Sequence, residues 1–176
     1  MLYLARELGY IDNTILVEYN TTSEVLRGLI TGVINVAALT LDEALKLYQS
    51  EIDVKIVMIF DYSYGSDVVI VKDYLKSIDD LKGKRIGVEN TALGEFVLYR
   101  FLQKTGLKRE DVDVVYLELH EHMEAFLRGD VDIVITFEPE KSKILSREGK
   151  VIFSSKEIPM EIVDVLVAKT DILKEN

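Results

Sequence analysis

No cysteine occurs in the 176-residue sequence. Disulfides, thiolate metal sites and cysteine nucleophiles are thereby excluded, while the redox compartment stays open. There are only two prolines and no Pro/Gly/Ser-rich stretch, so any two lobes would be joined by crossing strands instead of a tether. No apolar run approaches the ~18 residues of a membrane span. The opening "MLYLARELGY" has no basic region ahead of its apolar residues and carries charge within it, so it does not read as a signal peptide. Basic residues are the minority, 21 Lys and Arg against 31 Asp and Glu, for a net charge of −10. No stretch gathers the bases into a phosphate-tracking face, which argues against nucleic acid and against an anionic membrane surface. A serine elbow, a P-loop, a dinucleotide fingerprint and an HExxH motif are all missing, so catalysis has little support.

What is present suits a folded α/β protein. The sequence is 48% hydrophobic and 30% charged, enough for a real core under a charged surface. Its length fits one ordinary domain or two small lobes sharing a waist. Short β-branched runs alternate with longer helical periods, which predicts βαβ units and mainly parallel sheets. "LYLARELG", "TSEVLRGLITG", "LDEALKLYQS", "GEFVLYRFLQKTG", "HMEAFLRG" and "EKSKILSREG" read as helices, several closed by glycine. "TILVEY", "INVAAL", "DVKIVMIF", "DVVIVKD", "KRIGVE", "VDVVYLE", "VDIVIT", "KVIFSS" and "DVLVAK" read as strands, with "DVKIVMIF" of the buried type.

One phrase is written twice, 97 residues apart. "GLITGVINVAALTLDE" starts at Gly28 and "FLRGDVDIVITFEPE" at Phe126, so that Gly32 matches Gly129 and Asn35 matches Asp132. Each copy reads as a helix stopped by glycine, then a turn, then a buried strand that delivers Thr40 or Glu138 to its carboxyl end. Parallel α/β sheets bind ligands at such ends, and two facing sets of ends would make a cleft. The plainer alternative is that all βαβ units look alike.

Several residues at these ends carry polar chemistry. In "NTALGE", Asn90 and Thr91 can cap the following helix, and Gly94 permits close approach. The free N–H groups across Asn90, Thr91, Ala92, Leu93 and Gly94 suit an anionic group, unless the segment is an ordinary capped helix with Glu95 in the same field. Thr40 opens a capping-box sequence, Thr40 to Glu43, and could also face a ligand. Asp61, Tyr62 and Tyr64 in "IFDYSYGSD" offer a carboxylate and ring faces, or simply a polar hinge. Glu138 precedes Pro139, which favours an extended Glu138 and a helix immediately after. Its carboxylate would accept N–H donors from an amine or aminopyrimidine, or else stabilise the helix start. "HEH" holds the only two histidines, His120 and His122. It reads as a solvent-facing strand-to-helix junction, so no metal site is expected there.

The pieces "LYLARELGY", "GLITGVINVA", "DLKGKRIGVE", "NTALGE", "GLKREDVDVVYL", "AFLRGDVDIVITFEPE" and "DVLVAKTDILKEN" stand in one order along essentially the whole chain. In that order they resemble the type II periplasmic binding proteins, closest to the branch that binds nitrate, sulfonates, taurine or thiamine-pyrimidine precursors for ABC importers. "DLKGKRIGV" before a polar turn is the most specific piece. The resemblance implies a two-lobed α/β fold, with residues 1–62 plus 162–176 as one lobe and 63–161 as the other. It places the strand crossings near 61–70 and 156–168. It also implies a ligand held between the lobes at Thr40, Asp61, Tyr62, residues 90–94 and Glu138, with no cofactor. A permease partner and an extracytoplasmic location follow from the same resemblance. Family members carry a further strand before "LYLARELGY" and further helices after "DILKEN", so the fold is expected to be shortened at both ends. The sheet edge so opened would invite a cover or an oligomer. Two other functions share the fold: an enzyme of menaquinone or pyrimidine-precursor synthesis, and a ligand-sensing domain. The yeast-type pyrimidine synthase uses a cysteine-rich motif that cannot exist here.

Overall fold

The computed structural model describes residues 2–174. The ends of the expected lobe boundaries at residues 1, 175 and 176 lie outside the described residues. The described chain folds into two sheets with six α-helices around them. A three-stranded sheet runs in the order β1 (Val36–Thr40), β8 (Val163–Lys169), β2 (Val54–Tyr62). A five-stranded sheet runs β5 (Asp113–Tyr116), β4 (Arg85–Val88), β6 (Ile133–Thr136), β3 (Val68–Val71), β7 (Lys150–Ser154).

The α/β, two-sheet class agrees with the sequence reading, but the pairing is more mixed than the mainly parallel sheets expected. Only β4 pairs in parallel, with β5 and β6; β3 runs antiparallel to β6 and β7, and β8 antiparallel to β1 and β2. The reason lies in how the chain changes sheets. A helical crossover returns a strand in the direction it left, as from β4 through α4 (Ala92–Thr105) to β5. The strands β3 and β8 instead enter directly from the other sheet, free of that constraint, and run against their new neighbours.

Period-two alternation builds the core of the larger sheet. Val69 and Val71 of β3 join Ile86, Leu98, Phe101 and Phe153 under α4, where Phe101 meets the Phe153 ring edge-on at 5.9 Å. Val68 and Ile70 point to the other face, against Phe126 and Ile144 of α5 (His122–Arg128) and α6 (Glu140–Leu145). The smaller sheet packs Leu39, Val165 and Val167 against Leu29 of α2 (Thr22–Thr31) and Leu47 of α3 (Leu41–Gln49). Gly32 and Gly129 end α2 and α5 in the left-handed region at φ +75° and +78°, so the repeated phrase is a repeated helix stop.

Two expected elements differ. Residues 14–19, "TILVEY", form no strand, and Ile15 and Val17 are exposed. β-branched alternation favours an extended backbone, but a strand needs a ladder partner, and this segment pairs with neither edge of the smaller sheet. The run expected to be a buried strand became β2, an edge strand whose Ile56, Val57, Met58 and Ile59 are 45–54% exposed. Apolar composition cannot separate a central strand from an edge strand that no described layer covers. No described helix is long and apolar enough to cross a membrane.

Candidate functional site

The register of the smaller sheet builds one wall. Thr40, the last residue of β1, stands opposite Asp164 of β8, and Asp164 stands opposite Asp61 of β2. Three chain-distant positions thus form one polar row. Immediately after Thr40, α3 begins, and the Thr40 N–H donates to Glu43 Oε2 at 3.1 Å. That contact turns the buried Glu43 back over the strand end.

The larger sheet supplies the other wall. Glu89 directly follows β4, α4 brings Leu93 in its first turn, and Phe137 and Glu138 follow β6. Thr91 caps α4, its hydroxyl accepting from Gly94 N at 3.0 Å. A Cβ on Gly94 would lie 2.2 Å from the Glu89 carbonyl oxygen, so glycine is what lets α4 start this close to the strand end. Helices α3 and α4 touch across the two walls. At the crossing, the buried Ser63 hydroxyl bonds the Asp67 carboxylate and lies 2.9 Å from Ser155 Oγ, while the Gly65 N–H donates to the same Ser155 oxygen at 2.6 Å. Both crossing segments are therefore tied by one buried polar knot.

Between the walls lies a cleft of about 870 Å³. Of the residues expected to meet a ligand, Thr40, Asp61, Tyr62, Leu93 and Glu138 line it. Gly94 lines a cavity of about 10 Å³ just behind. Asn90 is exposed, and Asn90, Thr91 and Ala92 are not among the cleft-lining residues.

Four acids that the sequence reading did not single out as ligand contacts also line it: Glu43, Asp67, Glu89 and Asp164. Glu89 directly precedes Asn90 at a strand end, so the strand-end rule could have found it. Glu43 was legible only as the third position of a helix cap. Asp164 and Asp67 gave no local signal, because their place depends on register between distant segments.

These acids dominate the electrostatics. Burial pushes the Glu43 carboxyl up to about 7, against the Thr40 N–H and with added repulsion from Asp42 and Glu89. Glu89 is likewise pushed up to about 7 by burial, with Glu118 adding repulsion and the Leu119 N–H opposing. Asp67 is raised by burial, partly offset by the Ser63 hydroxyl. Asp164 is raised by burial and then by Asp61, with which it shares a hydrogen bond. Glu138 goes the other way: hydrogen bonds from Ser142, then Lys141, hold it below the usual range.

The "HEH" segment corrects the expectation of a solvent-facing junction. His120 is exposed, but His122 is 1% exposed at the start of α5, its Nδ1 3.1 Å from Thr136 Oγ1. Burial lowers its pKa to about 4, so the ring is neutral at pH 7. The helix begins inside the fold and turns its first residue inward, which spacing alone does not reveal. Among the described residues no group of His, Asp and Glu could hold a metal ion.

The family model described as "NMT1/THI5 like" matches residues 1–176. The taurine-binding periplasmic protein of Escherichia coli K12 is 22% identical over 162 residues, 90% of this chain and 50% of that protein. The alkanesulfonate-binding protein SsuA of Xanthomonas axonopodis pv. citri, solved bound to MOPS, superposes with a TM-score of 0.85 at 21% identity. That superposition covers 99% of this chain and 63% of that one. The periplasmic aliphatic sulphonate binding protein SsuA of Escherichia coli gives 0.84 at 20% identity, with the same coverage of 99% and 63%. The chain thus spans about half the length of the taurine-binding relative and under two thirds of these structures.

Proposed function

The chain belongs to the NMT1/THI5-like family, and from that premise we propose that it is the binding component of an ABC-type importer, holding a small polar solute between two lobes. The lobes are residues 1–62 plus 162–176 and residues 63–161. The observation that carries this reading is that Thr40, at the end of β1, and Glu89, Leu93 and Glu138, from the other sheet, line one cleft. The crossings near Ser63 and Ser155 are the hinge, and closure over the ligand brings the two rows of strand ends together. Thr40, Asp61, Tyr62, Leu93 and Glu138 touch the ligand on this reading. Asn90, Thr91, Ala92 and Gly94 shape the turn that presents Glu89 and Leu93.

The same reading makes a permease the partner and an extracytoplasmic compartment the workplace. Any self-association would use the open edge of β2. The role is binding and release, so the solute should be recovered unchanged. Calorimetry of the intact protein against pyrimidines, amines, sulfonates and nitrate tests it, together with mass spectrometry of whatever small molecule copurifies. Saturable one-site binding with the ligand returned intact is expected. A folded protein that binds none of them and retains nothing overturns the reading, and turnover of the ligand would move it to an enzyme.

A further inference from the structure

The sign of charge in the cleft differs from what an anion needs. Glu43, Asp61, Asp67, Glu89, Glu138 and Asp164 line it, and no lysine, arginine or histidine does among the described residues. Two lysines border it, each already engaged with a lining residue. Lys141 pairs with Glu138 at 3.1 Å and donates to the Gly65 carbonyl at 2.9 Å, and Lys156 lies 5.6 Å from the Tyr64 ring centre. A sulfonate or nitrate beside even one ionised carboxylate at about 5 Å would lose roughly two orders of magnitude in affinity at an effective dielectric near 20.

An independent observation points to a donor-bearing ligand. Thr40 is 9% exposed and lines the cleft; its Oγ1 stands in the capping box with Glu43 and beside the Asp42 carboxyl, yet makes no hydrogen bond of ordinary length and angle. A buried hydroxyl left so is costly unless something completes it, and an N–H from a ligand would do so. The acids are also spread too widely for an inorganic ion, since no described group of them could hold a metal. They stand on both walls, alongside the rings of Phe60, Tyr62, Tyr64 and Phe137. Ring faces and separated carboxylates together suit an extended cation with an apolar frame.

We propose that the ligand of this cleft is a small organic cation, its protonated nitrogen held between Glu89 on one wall and the Glu43 and Asp164 carboxylates on the other, with Thr40 Oγ1 accepting one of its N–H groups. This rests on the binding reading above and narrows it to a class. Because the facing acids are partly protonated near neutrality, a bound cation would expel protons as it ionises them. An entering anion would instead favour their protonated forms. The groups that set this balance are Glu43 and Asp42 from α3, Asp61 and Asp164 from the smaller sheet, and Asp67 at the crossing. Glu89, Glu118 and Glu138 act from the larger lobe, with Lys141 beside Glu138.

The test uses the whole chain with agmatine and 1,4-diaminobutane as cations, ethanesulfonate and nitrate as anions, and calcium chloride as the inorganic control. Calorimetry is run between about pH 6 and 8 in buffers of different ionisation enthalpy, and the copurified molecule is identified by mass spectrometry. Expected are saturable cation binding with proton release and up to about tenfold tighter binding per pH unit. Glu89→Gln and Asp164→Asn should each weaken it at least about tenfold while the variants stay folded. A copurified nitrogen base supports the proposal. Binding of ethanesulfonate or nitrate in place of the cations, a copurified acid or neutral molecule, or calcium binding alone would overturn the cation while leaving a binding protein. Neither probe binding nor any retained molecule would remove both.

Discussion

Replacing Glu89 by Gln tests the electrostatics of the cleft without any ligand. Glu89 is 6% exposed, and its carboxyl is pushed from 4.5 to about 7, chiefly by burial. Below pH 4.5 both folded and unfolded states hold the proton, and the side chain is neutral in each. As pH rises from 4.5 towards 7 the unfolded chain ionises first, so folding stability falls, and above 7 the loss is complete. At about 1.36 kcal/mol per pKa unit the cost approaches roughly 3 kcal/mol by about pH 8. Glutamine is neutral throughout and can still accept the Leu119 N–H. In urea unfolding, Glu89→Gln should therefore match the parent near pH 4 and exceed it by up to about 3 kcal/mol near pH 8. Equal or lower stability of the variant near pH 8 would show that a cationic group already compensates Glu89. The account of an acid-lined, base-free cleft would then be wrong.

Other outcomes follow from single residues. Gly94→Ala forces a Cβ against the Glu89 carbonyl, and should cost roughly 1–3 kcal/mol in urea unfolding; a neutral result would mean α4 can shift freely. His122, lowered to about 4 by burial, contributes stability above the unfolded value of 6.5 that is lost as pH falls from 6.5 towards 4. Its ring NMR shifts should stay unchanged from about pH 8 to 5, and titration near 6.5 would refute its burial. Ile59→Lys on the exposed edge strand should change stability by less than about 1 kcal/mol and reduce any self-association seen by light scattering. Collapse of the fold would show that a layer covers β2.

Much of this architecture was legible because local chemistry and global fold agree at particular residues. Gly32, Gly106 and Gly129 all stop helices in the left-handed region, and the continuous apolar runs of β3 and β6 are buried on both faces. Thr40 and Glu138, picked out as strand-end residues, do reach one cleft. What stayed hidden depends on pairing between distant segments. Asp164 acquires its place only through its register with Thr40 and Asp61. The exposure of Ile56–Ile59 depends on which strands flank β2, and "TILVEY" lacks a partner although its pattern suits a strand. His122 escapes a reading of the sequence because a single residue, Glu121, separates it from exposed His120, while a helix start turns it into the core.

The central claim is that one solute touches both walls at once. Methyl-resolved NMR titration of Leu39, from β1, and Leu93, from α4, both lining the cleft, measures it most directly. With the copurified molecule returned to the emptied protein, both signals should move along one saturation curve, while Leu127 on the far side of the larger sheet stays put. Movement of one wall alone, or of the two at unrelated concentrations, would contradict a ligand held between them.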